Sequence, residues 1–339
     1  MERSIHDVSW LTFWRAITVV LIILLAYFAV KALVVLFFSL IISSAVEPVV
    51  NTLQKGGVPR VLSAIFLYLL AVATVATALY LIIPPVVVEL RNFLDHLENL
   101  TPQLSLYFSP EIFEELRSSL SVSLDSLTML LESGGSVFNL LGSLIGGVAV
   151  LLATTIVTFY ILVNENGVTE FIRAVTPAAY EDYLINLWLR VKKKLGRWLQ
   201  TQLSLSILIG LLSFGALRLL GVNYAFLLGF VAGAFEIVPI AGPIFAAAVA
   251  ILAALAESTK LAFFTLLVFI VIQQLENHLA VPLITKKLVG INPVVVILAL
   301  MTGSAVGGVV GMILAIPSVV VLQEIVEDWG KRKGARLGA

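Results

Sequence analysis

The chain has no cysteine. That excludes disulfides and thiolate metal sites and leaves its redox compartment undecided. Charge is scarce too: 12% of the 339 residues are charged, and Lys plus Arg match Asp plus Glu at 21 each. A formal net charge of zero gives no basic field to attract nucleic acid. Catalytic signatures are missing. An HExxH pair needs a second histidine that Glu276-Asn277-His278 lacks. Gly303-Ser304-Ala305 is not a GxSxG elbow. Without a P-loop, any ATP would have to be hydrolysed by a separate subunit. The residues therefore point away from an enzyme, and they imply no cofactor and no metal.

What is abundant is apolar: 60% of the residues are hydrophobic, and the mean hydropathy is +1.06. Several uncharged runs exceed the roughly 18 to 20 residues needed to cross a hydrocarbon core. Short alternating segments, the mark of a membrane β-barrel, are not visible. The expected fold is an all-α polytopic membrane protein. Trp10 and Trp14 read as interfacial anchors. Ala16 to Ala45 is too long for one perpendicular span, so two short spans meeting near Lys31 are expected, with one long tilted helix as the alternative. The same run is too long for a cleaved signal, and the N-terminus is expected to stay as a first span. Residues 1–85 would form the N-terminal spans, with a turn at Gln54–Arg60 and a stop at Pro84-Pro85.

Residues 86–135 carry leucines at helical spacing backed by acids and serines, and read as an extracytoplasmic amphipathic helical insert. Residues 136–163 give another span. Residues 164–197 form a basic helical loop with Trp188, Val191, Leu195 and Trp198 as its buried stripe. A lipid-phosphate site on its cations is the sharper alternative. The tail 326–339 holds Lys331, Arg332, Lys333 and Arg336. Short Lys/Arg-rich loops stay inside, so both termini are expected to be cytoplasmic in a multi-pass protein of the cell membrane.

The C-terminal membrane core, 198–325, hides a repeat. Arg218–Asn223 and Lys287–Asn292 are alike, and each precedes a long apolar segment broken by Pro or Gly, 224–256 and 292–325. If both broken segments cross fully, there are eight spans. If both are re-entrant hairpins, there are six full spans plus two inverted units, a plan that recurs in transporters and the one favoured here. Breaks or hinges are expected at Asn223, Asn292, Pro293, Gly307, Gly308, Gly311 and Pro317. The two asparagines suit helix caps.

Candidate site residues fall on the same core. Glu236 lies deep in its apolar segment, where a carboxyl can exchange a proton or hold a cation beside carbonyls freed by Pro239 and Pro243, with Gly242 between them. Gln273, Glu276 and Asn277 share one helical face at i, i+3 and i+4, a polar stripe suited to a small polar solute or ion. His278 points elsewhere and reads as structural.

These segments carry a resemblance. PIAGP (Pro239–Pro243), QQLEN (Gln273–Asn277), Pro282, GINP (Gly290–Pro293), Gly308-x-x-Gly311 to Ile316-Pro317, Glu47-Pro48 and Gly57 to Arg60 together resemble the autoinducer-2 exporter family over nearly the whole chain. The chain departs where members often have Gly-Gln, showing Leu199-Gln200 and Thr201-Gln202, and it has Glu236 before the PxxGP motif. The resemblance implies a secondary transporter or exporter of a small polar solute, autoinducer-2 or similar, coupled to H+ or Na+, with a sodium/proton antiporter as the alternative. The alternative of another class is a non-transporting scaffold that binds a partner through 86–135. The expected partners are the lipid bilayer, a small polar solute and H+ or Na+, with no nucleic acid and with room for a homo-oligomer.

Overall fold

A computed structural model describes residues 10–104, 148–280 and 292–337, with isolated positions between 115 and 128. Its elements are helices α1 (Trp10–Lys55), α2 (Arg60–Leu104), α3 (Val148–Val163), α4 (Gly167–Val175), a 3-10 turn Ala178–Tyr180, α5 (Glu181–Leu220), α6 (Ala225–Phe235), α7 (Ala241–Glu257), α8 (Thr259–Leu275), a π-helical turn Glu276–Ala280, and α9 (Pro293–Leu337). No strand occurs among the described residues. Five stretches are long and apolar enough to cross a membrane, or six if α3 and α4, bent by 87°, are one span. Phe66, Leu69, Leu81 and Ile207 sit on open surface. Apolar side chains are stable there only against lipid or another apolar surface.

Two expected breaks are absent. α1 runs unbroken through Lys31, so the Ala16–Ala45 run is one long helix. α2 runs on through Pro84-Pro85, so the boundary at 85/86 falls inside a helix. Beyond the prolines, Val86, Val87, Leu90 and Phe93 are buried in the main core with α5, α6, α7 and α8. That packing carries the helix past the lost backbone donors, which alone would favour a stop. Likewise the basic stretch of 164–197 continues into the next span as the single helix α5. The expected turn at Gln54–Arg60 is present, closed by Gly57 at φ 90°. Residues 105–114, most of 115–135 and all of 281–291 lie outside the described residues.

The C-terminal half contains two helical hairpins. In the first, α6 and α7 return to the same end: the Asn223 N–H at the start of α6 donates to Glu257 Oε1 at the end of α7, at 2.9 Å. The second lies within α9, where Gly307 and Gly308 leave helical geometry. Gly303 and Gly311 are close enough that a β-carbon on Gly311 would fall 2.0 Å from the Gly303 carbonyl oxygen. Eight residues of straight helix would separate these positions by about 12 Å, so the chain has folded back. Pro317 stays inside the returning arm and is fully buried. The hinge is therefore the glycine pair and not Pro317.

Candidate transport site at the hairpin tips

The first hairpin is set up by local chemistry. Gly221 ends α5 in the left-handed region (φ 77°, ψ 21°), and its N–H returns to Arg218 O. Tyr224 follows at φ 60° and starts α6 without a side-chain cap. Asn223 therefore does not cap with its side chain; its backbone N–H is what Glu257 holds. Asn292 does cap: its Oδ1 accepts from Val294 N at 2.9 Å, just ahead of Pro293, which opens α9. Proline suits that first position because its missing N–H has no partner there anyway.

At the tip, α6 ends at Glu236 and α7 begins after Ile240, which is strained at φ 70°, ψ −57°. The Ala241 N–H turns back to Pro239 O at 2.8 Å and the Gly242 N–H to Val238 O at 2.8 Å. Gly242 is required: a β-carbon there would lie 1.9 Å from Phe235 O. PIAGP is thus a tight cap joining two helix ends.

Glu236 is 1% exposed. Its carboxyl faces that of Glu276 within hydrogen-bonding reach, across from the other end of the candidate stripe. Glu276 is also buried and receives Gln273 Nε2 on Oε2 at 3.0 Å. No donor reaches Glu236 Oε2. Among the described residues neither carboxyl has a lysine or arginine partner. Gln202, buried on α5, donates to the Glu236 carbonyl that the helix break frees. Sequence reasoning noted Gln202 only as a departure from a pattern, and nothing local signals a partner 34 residues away. The π-helical turn from Glu276 onward widens the helix, and Asn277 ends up exposed, away from its expected face.

The two hairpins meet. Val238 shares a buried cluster with Leu300, Ala315 and Ile316, with Ile237, Ala241 and Trp198 packed against it. Gly307 and Gly308 are exposed at the second tip. Near the start of α5 three basic residues pair with acids of the chain itself. Arg190 Nε reaches Glu324 at 2.6 Å, Lys194 also pairs with Glu324, and Lys192 Nζ reaches Glu47 at 2.6 Å. Arg60 joins Glu47 at 3.5 Å and Glu165 at 3.1 Å. Arg190, Lys192 and Lys194 are thus paired, while Lys193 and Arg197 of the same stretch are exposed.

Long apolar helices around two broken-helix hairpins, with two carboxyls buried at the tip of the first, describe a multi-pass membrane protein built to move a solute. The chain belongs to the AI-2E family transporters, whose family profile matches residues 16–331. It is 27% identical over 306 residues to YueF of Bacillus subtilis (strain 168), named provisionally as a transport protein, covering 85% of this chain and 82% of that one. YrrI of the same organism, named in the same way, is 24% identical over 94% of this chain and 88% of its own length. The AI-2 transport protein TqsA of Escherichia coli (strain K12) is 23% identical, covering 89% of this chain and 87% of that protein. Membrane transport is accordingly the role of this chain.

Proposed function

We propose that the chain is a secondary transporter that exports a small polar solute, autoinducer-2 or a molecule like it, across the cell membrane with proton coupling. The observation that carries this is the Glu236–Glu276 contact. Two carboxyls hydrogen bond only when one donates a proton to the other. A pair without a cation partner, next to helix ends that can shift, is a proton site whose occupancy can follow the hairpin's position. Gln202 and Gln273 supply amides suited to a hydroxylated solute. The name of TqsA supports the choice of solute.

In this reading both hairpins are re-entrant and form inverted units, and both termini face the cytoplasm. α6 has 11 residues, about 16 Å of helix, roughly half of a 30 Å core. Cysteine accessibility tests the topology: position 260 should label from outside and position 286 from inside, and labelling of 286 from outside overturns it.

The function is tested by flux in proteoliposomes across a small solute panel, with and without a proton or sodium gradient. Glu236→Gln should fold and lose proton-coupled flux; unchanged coupled flux overturns the reading. Sodium-driven proton movement without solute would make the chain a sodium/proton antiporter. A scaffold would show no flux and would be damaged by charge changes in 86–135 instead.

A further inference from the structure

The first turn of α6 contains no acidic residue, and its N-cap Tyr224 makes no side-chain cap. Yet the third N–H of this helix is satisfied. Leu227 N donates to Glu89 Oε2 at 2.8 Å, from a residue 138 positions earlier on α2. This is the backbone group that a local capping side chain ordinarily takes. The surroundings fit the same docking. Tyr224 Oη donates to Asn92 O at 3.1 Å, and the Tyr224 ring stacks edge-on against Phe93 at 5.6 Å between centroids. Glu89 lies on the α2 face that buries Val86, Leu90 and Phe93. Glu257 meanwhile holds the neighbouring Asn223 N–H at 2.9 Å.

We propose that Glu89 is a positioning residue for transport: its carboxylate caps the N-terminus of α6 and docks the open end of the first hairpin on α2. A helix N-terminus carries about half a positive charge and free N–H groups, which a carboxylate can satisfy. Here a carboxylate of the chain does so. The cap holds the hairpin whose tip carries Glu236, so its part in transport rests on the proposed transport reading. Because α2 continues without a break from Glu89 to Leu104, a displacement of its far end would also move the cap.

The test replaces the anion from solution. Wild type, Glu89→Gln and Glu89→Ala are purified as full chains. Thermal unfolding is measured in sodium formate and in sodium chloride of equal ionic strength, and solute flux is measured in the same salts. The amide oxygen of Glu89→Gln still accepts from Leu227 N, so this variant should stay within about twofold of wild type, whereas losing a cap altogether should weaken Glu89→Ala several-fold. Formate, and not chloride, should raise the melting temperature of Glu89→Ala and restore part of its flux, with no such difference in wild type. A Glu89→Ala protein that matches wild type, or that responds equally to both salts, overturns the proposal. If Glu89→Ala does not accumulate, Glu89→Gln is compared with the similarly bulky Glu89→Met: Met impaired and Gln normal supports the cap, and equal behaviour overturns it. Unfolding is read without any solute, so the cap can stand or fall apart from the transport reading.

Discussion

Gly303 and Gly311 stand backbone against backbone across the second hairpin. A β-carbon on Gly303 would fall 2.4 Å from the Gly311 carbonyl oxygen, and one on Gly311 2.0 Å from that of Gly303. Backbone cannot yield as a flexible side chain can, so Gly303→Ala and Gly311→Ala should each destabilise by roughly 1 to 3 kcal/mol. Gly307→Ala is the control, since nothing lies within 4 Å of its added carbon. Melting temperatures in detergent check this: two clear drops and one near-silent change are expected, and three equal changes would mean that the arms are not in contact.

The two asparagines that precede the hairpins should behave differently. Asn292→Ala removes the cap on Val294 N and should cost about 1 kcal/mol. Asn223→Ala leaves its backbone N–H with Glu257 and should change stability by only a few tenths of a kcal/mol. Thermal unfolding of the two variants side by side separates a capping residue from one that only looks like it in sequence.

Arg60 ties three helices and a turn together. Its Nε donates to Leu162 O at the end of α3 at 2.9 Å, and its guanidinium reaches Asn51 at 3.0 Å and Glu165 at 3.1 Å. A lysine keeps the charge but cannot serve a carbonyl, an amide and carboxylates at once. Arg60→Lys should lose roughly 1 to 3 kcal/mol. The Arg60 side chain is 11% exposed against 43% for Arg190. Added salt should therefore weaken the Arg190 contacts with Glu324 and Asp328 more than those of Arg60. Melting temperature against salt concentration for Arg60→Lys and Arg190→Lys checks both statements.

Composition alone was enough for the helical membrane class, because the apolar excess leaves few other solutions. The breaks were legible where glycine or proline forced them, at Pro239–Pro243 and at Gly307-Gly308. They were misread at Pro84-Pro85, where burial of Val86, Leu90 and Phe93 outweighs the local preference. Glu236 and Glu276 stood out because carboxyls are expensive in apolar runs. Gln202 and Glu89 did not, since each acts on a backbone group 34 or 138 positions away and leaves no local pattern. Asn277 was placed on the Glu276 face by ideal helical spacing, which the π turn at Glu276–Ala280 changes.

Glu236 and Glu276 should fail as a unit. Glu276 already takes Gln273 Nε2 at 3.0 Å, while Glu236 Oε2 has no donor, so a proton shared between the two carboxyls would link the hairpin tip to α8. An amide introduced at position 236 can still donate to Glu276, and one at 276 to Glu236, so either single variant should stay folded. Neither can pass a proton between two carboxyls. Glu236→Gln, Glu276→Gln and the double variant should therefore lose nearly the same fraction of proton-driven flux, because residues acting as one unit are strongly non-additive. Two independent sites would instead give losses that multiply. The measurement is proton-driven flux for all four proteins in the same vesicles, with solute exchange at zero gradient as the companion. Exchange that survives in all three variants while driven flux is gone would assign the pair to coupling, and exchange that disappears with it would assign the pair to binding the solute itself.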